Sequence, residues 1–323
     1  MKKDRKIVLV GTGFVGMSAA YTFLATGGID ELVLIDINED KAVGEAMDLQ
    51  HGLAYAPHNI VIRAGGYEEC ADAAIVVVTA GVPQKQGGQT RLELVGTNTK
   101  IMRDITKQVM DSGFDGIFVI ASNPVDIMTY VCQKVSGLPE NRVIGSGTIL
   151  DTARLRFLTS EYLDIAPKNI HAYIMGEHGD SSFVPWTHAY VGCKNIIDLF
   201  NETGRDLQEL ENIHHRVQNA AYEIIERKRS TYYGIGLSLN RLIRAILNDE
   251  KAILTVSSYQ NGEYGHEGFY IGVPSKVTKE GVAGIIKLKL NAEEQAKFDQ
   301  SCKTLKEVID NTVVPILNGK DSE

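Results

Sequence analysis

Side chains suited to acid–base and anion-binding chemistry are concentrated in residues 146–180, namely Asp151, Arg154 and His178. Residues 148–162 have helical apolar spacing without Gly or Pro, which predicts a helix with Asp151 and Arg154 on one face. His178 lies between glycines in a Gly-Glu-His-Gly run, an environment that suits an imidazole exchanging a proton. Two interpretations follow. Asp151 and Arg154 pair with each other in solvent, or Arg154 holds an anion by a two-pronged hydrogen bond beside an acid/base histidine.

A second group of residues is typical of a dinucleotide site. Residues 6–10 predict a buried strand, Gly11, Gly13 and Gly16 follow it in the pattern GxGxxG, and residues 17–26 predict a helix. A second predicted strand, residues 31–37, contains Asp36 near its end, twenty residues after Gly16. The glycines would let the backbone approach a pyrophosphate, and Asp36 would accept from ribose hydroxyls while repelling a 2′-phosphate. The pattern favours NAD over NADP; the alternative is a strand–turn–helix without a ligand.

The elements that must position these groups alternate between strand and helix. Residues 73–79, 116–121 and 142–145 predict further buried strands, so the first half is expected to form a doubly wound parallel sheet. A loop with turn residues follows each strand, and the shared sheet edge predicts one common site. Residues 84–97 are polar and contain Gly87 and Gly88, which predicts a mobile lid. Arg91, at its far hinge, is either delivered to the substrate or exposed to solvent.

The second half of the chain predicts helices over residues 206–228 and 237–248 and strands over residues 252–259, 269–273 and 284–290. Asn291 and Glu294 predict a capping box at the start of the last helix. His214 and His215 point about 100° apart on their helix, so they are expected to be solvated rather than to share a metal.

Composition excludes several classes of partner. The formal charge of −8 disfavours nucleic acid and acidic membrane surfaces. The four cysteines lack metal-ligand or CxxC spacing and are expected to be buried, reduced thiols. No apolar run has the length of a secretion signal or a membrane span, so a cytoplasmic protein is expected. Because the cysteines lack metal-ligand spacing, no metal is expected.

Several motifs, in order and with family spacing, resemble those of the L-lactate dehydrogenases within the lactate/malate dehydrogenase superfamily. They are GTGFVG, TAGVPQKQGGQTR, ASNPVD, GSGTILDTARLRF, GEHGDSS and STYYGIG. The resemblance implies an α/β fold with a Rossmann doubly wound parallel sheet for NAD in residues 1–145. A C-terminal mixed α/β substrate domain would occupy residues 146–323.

The resemblance also implies a role for individual residues. His178 would donate and accept the proton, Asp151 would orient it, and Arg91 would polarise the substrate carbonyl. The implied substrate contacts are Gln84, Arg91, Asn123, Asp126, Arg154 and Thr231. The implied nucleotide contacts are Gly11, Gly13, Val15, Gly16, Asp36, Lys41, Tyr67, Gly81, Val82, Ala121 and Asn123.

The substrate implied is pyruvate, reduced reversibly to L-lactate, because of Gln84. Family members that use oxaloacetate commonly have an arginine here, and a neutral Gln84 would leave the second carboxylate buried without a partner. Gln86 and Gln89 depart from the family's usual lid sequence, which affects expectations for lid closure but not for the reaction. The alternatives are a malate dehydrogenase and a dinucleotide-binding protein without catalytic activity.

Arg156 and His171 form a separate pair of interest. Arg156 lies about 200° around the helix from Arg154, so it must face away from that pocket. Alone, the two would be a surface arginine and an ordinary histidine. The resemblance to bacterial lactate dehydrogenases instead implies a fructose 1,6-bisphosphate site between the subunits of a homotetramer, with dimer–tetramer exchange possible. Because a neutral histidine binds phosphate less well, activation is expected to fade above pH roughly 6.5–7.

Overall fold

The computed structural model describes residues 4–82 and 91–319, without the side chains of residues 91 and 92. The strands are β1 (Lys6–Val10), β2 (Glu31–Ile35), β3 (Val61–Ala64), β4 (Ile75–Val78), β5 (Ile117–Ile120), β6 (Val143–Gly145), β7 (Ile170–His171), β8 (Tyr190–Val191), β9 (Lys194–Asn195), β10 (Ala252–Asn261), β11 (Glu267–Thr278) and β12 (Gly281–Ile285). The α-helices are α1 (Phe14–Thr26), α2 (Glu39–His51), α3 (Arg91–Asp111), α4 (Val125–Ser136), α5 (Ile149–Leu163), α6 (Ile196–Glu202), α7 (Gln208–Lys228), α8 (Tyr233–Leu247), α9 (Ala292–Val308) and α10 (Val314–Leu317). A π-helical turn, Ile309–Val313, joins α9 to α10.

Nine of these strands form one sheet in the order β12-β11-β10-β6-β5-β4-β1-β2-β3. Strands β1 to β6 are parallel and form one side of this sheet. Strands β10, β11 and β12 continue it in antiparallel fashion. A small antiparallel sheet contains β7, β8 and β9. The expected α/β fold, with a parallel nucleotide-binding sheet and a mixed C-terminal part, is therefore confirmed.

Both faces of the parallel strands are covered, which explains their continuous apolar sequences. Along β1, Val8 and Val10 belong to one buried cluster, whereas Ile7 and Leu9 belong to the cluster on the opposite face. This alternation follows from the two-residue repeat of a strand. A third cluster, around Phe200, lies beneath α5, α6 and α7. The sheet is therefore a rigid layer whose carboxyl edge can hold side chains in fixed positions.

The structure differs from the sequence-based expectations at several strands. β3 was not predicted, because Arg63 interrupts the apolar pattern of its four residues. β7, β8 and β9, with two residues each, were too short to be predicted, and β11 extends beyond the predicted residues 269–273 at both ends. The last strand, predicted over residues 284–290, was wrong: β12 ends at Ile285. Residues 286–290 alternate apolar and charged side chains as a strand would, yet they lie outside the ladder with β11. The capping box of Asn291 and Glu294 is confirmed at the start of α9.

Two expectations about exposure also need correction. His215 is exposed as expected, but His214 is half-buried, and its Nε2 atom has no hydrogen-bond partner in the part of the chain described. It adjoins the stripe of α7 that contains Leu210, Ile213 and Val217, all buried. Of the four cysteines, all free thiols, only Cys193 is exposed. Within residues 4–82 and 91–319, no helix is long and apolar enough to cross a membrane.

Candidate active site

The carboxyl edge of the parallel sheet collects the residues singled out by sequence. The glycine-rich turn follows β1, Asp36 follows β2, Gly81 lies beyond β4, and Asn123 lies beyond β5. Helix α5, with Asp151 and Arg154, starts four residues after β6. Because parallel strands end at the same edge, residues distant in sequence are brought to one crevice.

His178, Asp151 and Arg154 form one connected group. Asp151 Oδ2 lies 2.6 Å from His178 Nδ1, and its other oxygen, Oδ1, lies 3.2 Å from Arg154 Nη1. The side chains of Asp151 and Arg154 are 11% and 13% exposed, whereas that of His178 is 27% exposed. The two interpretations of Asp151 therefore coexist: its carboxylate bridges both cations, and Nε2 of the imidazole is left for another partner.

The electrostatics of this group favour a protonated imidazole. The charge of Asp151 raises the pKa of His178 to about 9, against the opposing effect of burial. Burial alone would raise the pKa of Asp151, but the charges of His178 and Arg154 hold it below its usual range. At neutral pH His178 is consequently a cation held by an anion, which can give a proton to a bound molecule.

The loop that contains His178 is held by hydrogen bonds to three elements, β11, α9 and α4. Gly176 exchanges two backbone hydrogen bonds with Gly272 of β11, at 2.9 and 3.0 Å. The Glu177 N–H donates to Ser301 Oγ of α9 over 2.7 Å. The His178 N–H donates to Asp126 Oδ2 of α4 over 2.8 Å. Ser301 could not be predicted from the sequence, because its contact with the loop depends on how α9 packs.

Asp126 does not lie where a substrate contact would be expected. It is only 2% exposed, and its second oxygen, Oδ1, accepts a 2.5 Å hydrogen bond from Ser257 of β10. Burial raises the pKa of Asp126 to about 6, although the hydrogen bonds from Ser257 and His178 oppose this. Both carboxylate oxygens are therefore used inside the protein.

The glycine-rich turn has the geometry that a dinucleotide requires. A Cβ on Gly16 would overlap the carbonyl oxygen of Gly11, so α1 can approach the turn only with glycine there. Gly11 itself has φ +103°, a conformation favourable only to glycine. By contrast, a Cβ on Gly13 would meet nothing within 4 Å, so the space beside it is open to a pyrophosphate. Val15 lies in the first turn of α1, where free N–H groups attract anions.

Asp36 is oriented at the end of β2 by the same turn. Its Oδ2 accepts from the backbone N–H and the hydroxyl of Thr12, at 2.7 and 2.8 Å, and its Oδ1 accepts from the Asn38 N–H. Burial alone would raise the pKa of Asp36, but these bonds and the charge of Lys41 lower it. Lys41 Nζ donates to the Thr12 carbonyl over 2.6 Å. Asp36 is thus an ionised acceptor beside the turn, which fits the ribose of NAD.

Asn98 of α3, which the sequence analysis missed, connects two of the predicted loops. Its side chain accepts from Val82 N at 2.9 Å and donates to the carbonyls of Val82 and Asn123, at 3.2 and 2.8 Å. The added Cβ of a residue replacing Gly81 would lie 3.3 Å from the Asn98 side chain. Asn123, exposed at the end of the loop after β5, precedes a cis peptide bond to Pro124. Nothing in the sequence distinguishes Asn98 from an ordinary helix residue.

Thr231 lies in the short connection from α7 to α8 and is half-buried. The next residue, Tyr232, stacks on Phe14 at the start of α1 with ring centroids 5.2 Å apart. Gly234 lies close to Leu150, the residue before Asp151. The connection therefore lies between the glycine-rich turn and the start of α5, at the predicted site.

The remaining predicted residues occupy different places. Tyr67 and Ala121 are half-buried, and burial raises the pKa of Tyr67 to about 12. Gln84 and the side chain of Arg91 lie outside the described residues, and so does the first half of the predicted lid, residues 84–90. Among the residues described, no group of three or more His, Cys, Asp or Glu side chains is arranged to hold a metal ion.

Arg156 and His171 are brought to the same part of the surface, away from Arg154. Arg156 Nε donates to the carbonyl of Ala172 over 3.2 Å, and its guanidinium lies 5.4 Å from the centroid of the Tyr173 ring. His171, the last residue of β7, immediately precedes Ala172 and is exposed. Both contacts of Arg156 are with neutral groups, so they leave its positive charge uncompensated.

Fold and site together define a dinucleotide-binding α/β oxidoreductase, with the parallel strand order 3-2-1-4-5-6 and a histidine–aspartate pair beside the nucleotide turn. The lactate/malate dehydrogenase NAD-binding domain model matches residues 5–145, and the model of the alpha/beta C-terminal domain of the same family matches residues 148–314. The chain belongs to the lactate/malate dehydrogenase family and is an NAD-dependent 2-hydroxy-acid dehydrogenase.

Individual relatives agree over almost the whole length. An L-lactate dehydrogenase of Lactococcus lactis subsp. cremoris is 54% identical over 95% of this chain and 98% of its own. L-lactate dehydrogenase 2 of Bacillus cereus is 53% identical over 98% of this chain and all of its own. The ligand-bound crystal structure of the minor L-lactate dehydrogenase from Enterococcus mundtii is 53% identical, with a TM-score of 0.94 over 96% of this chain and 99% of that one.

Two glycine substitutions should separate folding from nucleotide binding. Gly16→Ala is expected to lower the free energy of unfolding by about 1–3 kcal/mol, because its methyl group would overlap the Gly11 carbonyl. Gly13→Ala should leave stability unchanged but raise the Kd for NADH about tenfold or more, because its methyl group would occupy the open space. Thermal denaturation and NADH fluorescence titration measure the two effects. Unchanged NADH affinity in Gly13→Ala would contradict this placement of the pyrophosphate.

Proposed function

We propose that this protein is an L-lactate dehydrogenase, which reduces pyruvate to L-lactate with NADH and catalyses the reverse oxidation with NAD. The observation that carries the proposal is the hydrogen-bonded group of His178, Asp151 and Arg154 next to the glycine-rich turn. The L-lactate dehydrogenases at 53–54% identity support it.

His178 is the proposed catalytic acid and base. Its Nδ1 is bonded to Asp151, so Nε2 is the atom that would face the keto oxygen of pyruvate. The protonated ring gives this proton to the oxygen as the neighbouring carbon is reduced, and the neutral ring takes it back from the hydroxyl of lactate. Asp151 holds the ring in one orientation and stabilises its charged form throughout.

Arg154 is the proposed carboxylate-binding residue. Its guanidinium is 13% exposed and makes a single 3.2 Å bond to Asp151, so other N–H groups of the fork are available for an anion. Asn123 and Thr231 would line the pocket, and Arg91 would bring a second guanidinium to the carbonyl. Arg154 would then meet a carboxylate, while Arg91 and the imidazolium of His178 would meet a carbonyl. This arrangement suits a substrate in which a carboxylate and a carbonyl are adjacent.

The residues of the turn fit NAD, which supplies the hydride acceptor for lactate and, when reduced, the hydride donor for pyruvate. We assign the pyrophosphate to the N–H groups of residues 13–16 and the adenosine ribose to Asp36. Lys41, Tyr67, Gly81, Val82 and Ala121 would complete the nucleotide contacts. This assignment places the first domain at residues 1–145 and the substrate domain at residues 146–323.

The reaction and its specificity are tested together by steady-state kinetics. We expect kcat/KM for pyruvate to exceed that for oxaloacetate by about 10²-fold or more, because Gln84 offers no charge to a second carboxylate. His178→Gln should lower kcat for pyruvate about 10²- to 10⁴-fold without losing NADH binding. His215→Gln, exposed on α7, is the matched control and should keep the rate of the parent. A preference for oxaloacetate would indicate a malate dehydrogenase, and NADH binding without turnover an inert protein.

The pKa of His178 predicts opposite pH dependences for the two directions. Pyruvate reduction requires the protonated ring, so kcat/KM should be level through neutral pH and fall about tenfold per unit above about pH 9. Lactate oxidation requires the neutral ring, so its kcat/KM should rise with pH and level off above about pH 9. Initial rates from pH 6 to 10.5 test this. Two profiles that break in the same direction would exclude His178 as the shared acid and base.

The regulatory site is a further part of the proposal. Arg156 and His171, adjacent through Ala172, would bind a phosphate of fructose 1,6-bisphosphate between subunits and favour a homotetramer over dimers. Arg156 is turned away from the active site, and its contacts with Ala172 and Tyr173, among the residues that the structure describes, are with neutral groups, which supports an anion-binding role. We place the enzyme in the cytoplasm.

Activation should require Arg156. In the parent protein, fructose 1,6-bisphosphate is expected to lower the KM for pyruvate several-fold, and in Arg156→Ala the response should disappear while kcat at saturating pyruvate is retained. Arg103→Ala, on α3, is the control and should respond as the parent does. Light scattering on the same samples follows the tetramer fraction. Activation that survives in Arg156→Ala would rule out this site.

A further inference from the structure

Asp126 is a deeply buried carboxylate of the candidate site. It lies in the first turn of α4, 2% exposed, where it accepts hydrogen bonds from the His178 main chain at 2.8 Å and the Ser257 hydroxyl at 2.5 Å. Placing a carboxylate in such surroundings is unfavourable unless its charge is used by neighbouring groups. The charge of His178, the residue whose main chain Asp126 holds, favours the ionised form of this carboxylate.

The support of His178 comes from successive main-chain amides. Gly176, Glu177 and His178 each donate an N–H, to Gly272, Ser301 and Asp126 respectively. The first two acceptors are a carbonyl and a hydroxyl, which are neutral. The third acceptor, Asp126, is a carboxylate, so this contact holds the main chain of His178 and also brings a negative charge to it.

We propose that Asp126 is a positioning residue rather than a substrate contact: its carboxylate anchors the His178 main chain and acts with Asp151 to keep the imidazole protonated. The two carboxylates act from different sides. Asp151 is bonded to the ring itself, whereas Asp126 is bonded to the backbone of the same residue. Ser257 favours the ionised form of Asp126, because its hydroxyl donates to the carboxylate.

The charges around His178 agree with this role. Among the described residues they are Asp151 and Arg154 on α5, Asp126 on α4, and Glu177 in the same loop. Asp151 and then Asp126 raise the pKa of His178, whereas Arg154 lowers it. The pKa of Asp126, about 6, leaves it mostly ionised at neutral pH. Removing its charge should therefore make His178 lose its proton at lower pH.

The inference rests on the proposed role of His178, so its first test does not depend on turnover. NMR titration of histidine-labelled protein without substrate gives the pKa of His178, assigned with His178→Gln. We expect Asp126→Asn to lower this pKa by about one unit, and Asp151→Asn to lower it further. The asparagine can still accept from the His178 N–H, so the fold should be kept. An unchanged pKa in Asp126→Asn would overturn the proposal, whereas absence of pyruvate turnover in the parent would overturn only the function.

Kinetics provide the second test, with a readout that a purely structural defect would not produce. In Asp126→Asn, kcat/KM for pyruvate should be about tenfold below the parent at alkaline pH and should recover below about pH 7, where the imidazole is protonated in both. A deficit of constant size at every pH would show that Asp126 only maintains the fold.

Further variants complete the design. Ser257→Ala should keep the alkaline limit of the parent, because Asp126 stays ionised near pH 9 without this hydrogen bond. A fall as large as that of Asp126→Asn would show that packing rather than charge sets the limit and would contradict the proposal. Asp126→Ser, which also removes the charge, replaces Asp126→Asn if that protein fails to fold. Asp249→Asn is the matched control, because Asp249 also accepts from a main-chain N–H, that of Lys279 at 3.1 Å, on an exposed part of the surface. Its pH profile should coincide with that of the parent, and an equal shift in this control would overturn the assignment to Asp126.

Discussion

The 2.6 Å bond between Asp151 and His178 is the interaction on which the rest of the site depends. A carboxylate that is 11% exposed is unfavourable without a cation, and Asp151 has two, the imidazolium and the guanidinium of Arg154. The bond fixes which nitrogen of the ring faces outward, and the charge of Asp151 keeps that nitrogen protonated at neutral pH. Because its two partners are 27 residues apart, the bond also ties the helix after the last parallel strand to a loop of the second half.

The convergence of these groups is a consequence of parallel strands. Each strand of the nucleotide-binding half ends at the same edge, and the loops beyond them are connected to one another by polar side chains. Thr12 joins the first loop to Asp36, and Asn98 joins the loop at Val82 to that at Asn123. Such bonds cost little entropy, because they form between backbones already held by the sheet. The open space beside Gly13 thereby lies at the sheet edge where these loops are connected.

The sequence alone predicted the residues whose chemistry is unusual and the strands whose apolar runs are unbroken. His178 between glycines, Asp36 after its strand and the capping box of α9 all follow from local patterns. Local patterns do not reveal side chains that act across the fold. Ser257, Ser301 and Asn98 are ordinary polar residues until packing places them at the site, and β3 is too short and too polar to be recognised. Asp126 was singled out by its motif, but the sequence did not indicate that both of its carboxylate oxygens accept hydrogen bonds inside the protein.

The seam between the parallel and antiparallel parts of the sheet has a consequence for the protein as a whole. At this seam β10 pairs with β6, with Ser257 opposite Gly145, where any larger residue would overlap Ser257 and Thr129. A nucleotide-binding half made alone would leave β6 as a bare sheet edge, open to pairing with other chains. It would also lack the hydroxyl that binds Asp126. The two halves are therefore joined by main-chain pairing and by the support of one histidine, so a replacement for either half would have to supply a matching strand edge and a partner for Asp126.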